Sequence, residues 1–140
     1  MKVVIDTNII LNAVYRRSKN HWIRQALEHG QITLCVTTDI LDEYSEVLAS
    51  YYDGETVELF LSALEILPNL QFIHKYYFWQ LIPKDEDDEK FVDCAIAANA
   101  DYLVTNDRHF QVLKKIEFPK VNVVNESEFK VIFESLHGNS

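Results

Sequence analysis

The chain has 140 residues, 48% of them hydrophobic and 25% charged, which is the balance of one ordinary globular domain and excludes a disordered or fibrous chain. Its net charge of −9 argues against a broad nucleic-acid-binding surface unless cations are held at the acids themselves. Cys35 and Cys94 lie in apolar segments with no CxxC or Cys/His cluster nearby, so reduced, packed thiols and a cytoplasmic location are expected, with neither a disulfide nor a zinc site. No stretch approaches a membrane span, and no leader pattern opens the chain, so a soluble, non-exported protein is expected.

In chain order, Lys2-Val3-Val4-Ile5 is apolar and β-branched enough to be a strand buried on both faces of a parallel sheet. It ends on Asp6-Thr7-Asn8, which puts Asp6 at the carboxyl edge, where open α/β sheets hold ligands. The competing reading makes Asp6 the cap of the next helix. Residues 9–29 read as mainly helical with Gly30 as the stop, and Ser18-Lys19-Asn20 leaves one helix or two undecided. Arg16, Arg17, Lys19 and Arg24 cluster there; phosphate contacts are one reading, and a solvated helix face is the simpler one.

Thr33-Leu34-Cys35-Val36 is a second strand, and Thr37-Thr38-Asp39 supplies caps for a helix over 39–50. That helix carries a stripe of Ile40, Leu41, Tyr44, Val47, Leu48 and Tyr51. Glu43 falls about 90° from the stripe's centre, at the edge of the core, while Asp42 and Glu46 point away. After Gly54, the recurrence of Val57, Phe60, Leu61, Leu64 and Leu67 is a packing face that ends at Pro68. Residues 71–83, with the aromatic run Phe72 to Trp79, fit strand, helix or loop and carry no assignment.

The acids from Asp85 to Glu89 open a helix, whose first turn favours negative charge. On the helical wheel Asp88 shares the side of Phe91, Val92, Ala95 and Ala98, and Asp93 projects to the other side. Ile96 and Ala97 make this helix apolar nearly all round, so Asp93 is also a candidate for burial with a partner or a metal. Asp93 lies roughly 7 Å further along the axis than Asp88, which favours Asp88 as the ligand and leaves Asp93 to support it or to hold a second ion.

Tyr102-Leu103-Val104 is a further strand ending on Thr105-Asn106-Asp107, and a helix to about Lys115 follows, for which Asp107 is at once a candidate cap and a candidate ligand. Val121 to Val124 is the last strand, Glu126 to Leu136 the last amphipathic helix, with Phe129, Ile132, Phe133 and Leu136, and the tail from about 137 should fray. Residues 1–140 thus form a single domain. The expected fold is three-layer α/β/α, its mainly parallel sheet built from strands near 2–5, 33–36, 102–104 and 121–124, with right-handed crossovers.

Asp6, Glu43, Asp88 and Asp107 would then meet on one rim of the sheet. Carboxylates packed together repel unless protons or cations are shared among them. Oxygen-only ligands select Mg²⁺ or Mn²⁺ over zinc, and two such ions can activate water and stabilise a leaving oxygen in phosphodiester hydrolysis. The five histidines form no HExxH or HxH, and G-x-S-x-G, phosphate-loop and dinucleotide motifs are missing from the sequence. A receiver-type signalling domain would need an acidic pair after the first strand, and a haloacid-type phosphatase a second Asp two residues after the first; Thr7 and Asn8 stand at those places.

Val3-Val4-Ile5-Asp6-Thr7-Asn8, the helix bearing Glu43, and Asp85-x-x-Asp88-x-x-Phe91-x-x-x-Ala95 running into Ala100-Asp101-Tyr102-Leu103-Val104-Thr105-Asn106-Asp107 together resemble the PIN-domain family. The nearest branch is the toxin components of bacterial toxin–antitoxin pairs, and the match reaches to about Glu126. The resemblance implies a Mg²⁺- or Mn²⁺-dependent endoribonuclease acting on single-stranded RNA. Asp6, Glu43, Asp88 and Asp107 would be its catalytic metal ligands, with Thr7, Asn8, Thr105 and Asn106 as supporting polar groups. It also implies a homodimer and a cognate antitoxin. Asn106 departs from the glycine common before the last acid, which puts the backbone of that turn in question. A non-catalytic PIN fold that binds RNA or a protein partner is the alternative, opposed by the complete acid set.

Overall fold

Val3, Val4, Ile5, Leu34, Cys35, Val36, Leu103 and Val104 are wholly buried, as strands covered on both faces must be. In the computed structural model, which describes residues 1–14, 19–74, 77–82 and 86–138, these runs form β1 (Lys2–Ile5), β2 (Thr33–Val36) and β4 (Tyr102–Val104). β3 (Leu70–Phe72) and β5 (Val123–Val124) complete a five-stranded, all-parallel sheet in the order β3-β2-β1-β4-β5. Val3 stands opposite both Leu34 and Tyr102, so β1 is central. The order reverses between β1 and β4, which opens a crevice at their carboxyl ends.

β3 lies in the stretch whose sequence fits several states. It is three residues long and half-exposed at the sheet edge, so it has no buried apolar run to announce it. Tertiary contacts hold it: Leu34 N–H reaches Asn69 O at 3.0 Å, and the Asn69 amide donates to Leu27 O and Ile32 O at 2.9 and 2.7 Å.

The helices are α1 (Thr7–Val14), α2 (His21–Glu28), α3 (Thr38–Ala49), α4 (Gly54–Glu65), α5 (Glu86–Ala98) and α6 (Glu126–His137), in a three-layer α/β/α arrangement. The region 9–29 therefore contains two helices. Gly30, at φ 69°, makes the turn after α2 in the left-handed region that glycine adopts without strain. The segment after Asp107 is a 3₁₀ helix, Arg108–Lys115. α1 packs on α2 and α3, α3 on α4 and α5, and α5 on β1, β2 and β4. α5 ends at Asn99, in the left-handed conformation at φ 51°, with Ala100 N–H bonded to Ala95 O at 2.9 Å. Asp101 then ties the start of β4 to β1: its N–H donates to Lys2 O, and its Oδ2 accepts from Lys2 N–H, both at 2.8 Å.

Cys35 and Cys94 are buried. No helix among the described residues is long and apolar enough to cross a membrane.

Candidate metal centre

Asp6 N–H still bonds Val104 O at 2.9 Å, while its own carbonyl accepts from Ile9 and Ile10 at 3.1 and 3.2 Å. Asp6 is therefore the residue where β1 leaves the sheet and α1 begins. Its side chain is 6% exposed. Oδ1 accepts from Thr7 N–H at 2.8 Å and Oδ2 from the Thr105 hydroxyl at 2.7 Å. Burial raises the Asp6 pKa above the ordinary carboxylate value; the bonds from Thr105 and Thr7 oppose this, and the negative charges of Asp107 and Glu43 add to it.

At the neighbouring strand end, Asp107 is held by its N–H donating to Thr105 Oγ1 at 3.0 Å. Its Oδ1 accepts from His109 N–H at 2.9 Å, capping the 3₁₀ helix. His109 Nδ1 lies 3.5 Å from Asp107 Oδ1 and 3.1 Å from Asp88 Oδ2. Asp88, near the start of α5, is 8% exposed, whereas the His109 side chain is about half exposed. One donor atom each from Asp88, Asp107 and His109 all fall within 4.8 Å of one another. Ligands about 2.1 Å from an octahedral ion stand ~3 Å apart when adjacent and ~4.2 Å when opposite, so the spacing of this set is near what one divalent cation would need.

Glu43 reaches the same region from α3. Its Oε2 accepts from the Thr7 hydroxyl and its Oε1 from the Lys90 ammonium at 2.8 Å. Burial lowers the Lys90 pKa, but the hydrogen bond and charge of Glu43, with Asp87 and Asp39, outweigh it and raise the value overall. Tyr44, beside Glu43 and wholly buried, donates its hydroxyl to Ile5 O and so locks α3 to the strand end that presents Asp6. Asp93, 2% exposed, accepts from Trp79 N–H at 3.1 Å. It is outside the Asp88, Asp107 and His109 group, the one set among the described residues that could share an ion.

Among the supporting polar residues, Thr7 and Thr105 bridge the acids, Asn8 is exposed, and Asn106 Oδ1 accepts from Glu126 N–H, the first of α6, at 3.0 Å. The turn at Asn106 does not enter the positive-φ region, so glycine is not required there. In the basic cluster, Arg16 and Arg17 lie outside the described residues. Lys19 is exposed, and Arg24 pairs with Glu28 at 3.0 Å.

The sequence reading missed His109 and Lys90. His109 escaped a search for histidine pairs because its partners are carboxylates, although Asp107-x-His109 places two donors two residues apart on one turn. His109 places an imidazole nitrogen beside the two carboxylates, a donor type that the oxygen-only expectation did not include.

A PIN domain family model matches residues 2–109. The chain belongs to the PIN domain family. Solved structures with the same fold include VapBC2 from Rickettsia felis bound to a DNA fragment from their promoter, at TM-score 0.63 and 20% identity, covering 89% of this chain and 98% of that one. The PIN domain endonuclease Utp24 aligns at TM-score 0.53 and 16% identity over 89% and 84% of the two chains. FitAcB from Neisseria gonorrhoeae aligns at TM-score 0.53 and 16% identity over 88% and 96%. A comparison with curated proteins gives no significant sequence match. The PIN-domain nuclease fold thus brings three donor side chains together at its switch point, from strand β4's exit, the 3₁₀ helix and α5.

Proposed function

We propose that this PIN domain is a divalent-metal-dependent endoribonuclease that cleaves single-stranded RNA and acts as the toxin of a toxin–antitoxin pair. The observation that carries the nuclease reading is the convergence of Asp88, Asp107 and His109 within 4.8 Å, beside buried Asp6, at the switch point of a nuclease fold. Asp88 and Asp107 through oxygen and His109 through Nδ1 would hold the ion, with Mg²⁺ or Mn²⁺ as candidates and the nitrogen donor less suited to Mg²⁺ than to Mn²⁺. A bound divalent ion supplies Lewis-acid polarisation of the phosphodiester and lowers the pKa of a coordinated water. Asp6, made more basic by burial and aimed by Thr7 and Thr105, accepts the proton of an attacking water. The exposed side at His109 leaves the cluster open to a polynucleotide.

The sequence resemblance to toxin components, with VapBC2 and FitAcB among the structural neighbours, supports a cognate antitoxin as partner. The homodimer rests on the resemblance alone. Lys19 sits beside a groove lined by Glu126, Ser127 and Lys130, and with Arg16, Arg17 and Arg24 it is our candidate for phosphate contact.

The test is cleavage of an end-labelled, unstructured RNA by purified protein with Mn²⁺ or Mg²⁺. EDTA should abolish cleavage, and Asp88→Asn and Asp107→Asn should each lower it by about a hundredfold or more. Electron spin echo spectroscopy of the Mn²⁺-loaded protein should show nitrogen modulation that disappears in His109→Gln. Metal-independent cleavage would overturn the metal-nuclease reading, and absence of cleavage by the purified parent would return the chain to a binding role.

A further inference from the structure

Lys90 follows Asp88 by two residues on α5, yet the two side chains serve different partners. Asp88 meets His109, while Lys90 spans to α3, its ammonium 2.8 Å from Glu43 Oε1. The Lys90 and Glu43 side chains are 18% and 20% exposed. The second oxygen of Glu43 accepts from the Thr7 hydroxyl, and the two oxygens of Asp6 accept from Thr7 N–H and the Thr105 hydroxyl, one bond each. Among the described residues, the group of three donors close enough to share an ion is Asp88, Asp107 and His109, and Glu43 is not a member of it. A divalent ion at Glu43 would have to sit against the ammonium in a partly enclosed space, where like charges are weakly screened. Without the ammonium, Glu43 would be a largely buried carboxylate calling for another cation.

We propose that Lys90 is the built-in second cation of the site, so that one divalent ion at Asp88, Asp107 and His109 and the Lys90 ammonium at Glu43 together replace the two-ion arrangement expected from sequence. This rests on the metal-nuclease reading above. Lys90 is a positioning residue: it holds Glu43 against Thr7 and closes that carboxylate to metal. Asp87 and Asp39 deepen the negative potential around it. The site then responds to one metal affinity, and occupancy follows a simple one-site curve.

The experiment counts Mn²⁺ ions per chain, by the electron paramagnetic resonance signal of free Mn²⁺ and by calorimetric titration, in the parent protein, Lys90→Arg and Lys90→Met. One ion is expected in the parent and in Lys90→Arg. Two are expected in Lys90→Met, the second binding at least about tenfold more tightly than any second ion in the parent. Two ions of comparable affinity in the parent overturn the proposal, as does a single ion in folded Lys90→Met. Should Lys90→Met fail to fold, Lys90→Gln takes its place, and the count in the parent remains decisive. A parent protein that binds no Mn²⁺ overturns the metal-nuclease reading itself, a result distinct from binding two.

Discussion

The Thr105 hydroxyl donates to Asp6 Oδ2 at 2.7 Å across the seam between β4 and β1. Thr105 Oγ1 also accepts Asp107 N–H at 3.0 Å, so one buried side chain sets the spacing of two acids that come from different strands. Parallel pairing of Ile5 with Val104 puts the two strand ends level, and Thr105 turns that register into a fixed geometry of charges.

Thr105→Val should therefore cost more than a hydroxyl on the surface would. The shape is kept, but buried Asp6 and Asp107 N–H lose a partner, and stability should fall by about 1–3 kcal/mol. Thr105→Ser should recover most of it. Urea denaturation of the three proteins decides the matter; a valine variant as stable as the parent would show that the bond contributes nothing.

Asp6 should make the folded protein sensitive to pH in a defined direction. Its folded pKa lies above the unfolded value because burial disfavours the charged form. The folded state thus binds the proton more tightly, so the Asp6 contribution is fully present below the unfolded pKa, about 4, and is lost as pH rises through the folded pKa. In metal-free protein, Asp6→Asn removes this loss and should be the more stable form near neutral pH. The difference should close below about pH 4, and denaturation midpoints across that range provide the check. An asparagine variant no more stable at neutral pH in EDTA would contradict the burial argument.

Asp88 and Asp93 should separate cleanly. Asp88 shares a cluster with Asp107 and His109, while Asp93 accepts the N–H of Trp79. Asp88→Asn should lower Mn²⁺ affinity by about tenfold or more and leave stability nearly unchanged. Asp93→Ala should leave Mn²⁺ affinity within about twofold while lowering stability by roughly 1–3 kcal/mol, because the Trp79 N–H loses its acceptor. Paired calorimetric and thermal measurements are needed, and the reverse pattern would make Asp93 the ligand.

Much of this molecule is determined by its linear pattern. Short β-branched runs can be hidden only in a parallel sheet, and each ends on polar residues, so β1, β2 and β4 and the placement of Asp6 and Asp107 at the carboxyl edge are legible without coordinates. Helical periodicity likewise singles out Glu43 from Asp42 and Glu46, and Asp88 from its four acidic neighbours. What the sequence did not determine depends on contacts between elements. β3 exists because Asn69 and Leu34 hold a half-exposed segment at the sheet edge, which no local propensity encodes. His109 enters the acid cluster only because α5 brings Asp88 to the turn after β4, and Lys90 meets Glu43 only because α3 packs against α5. Periodicity reports which face of an element is buried. Which charges then stand opposite one another is decided by how the elements pack, and the donor set of this site is a property of that packing.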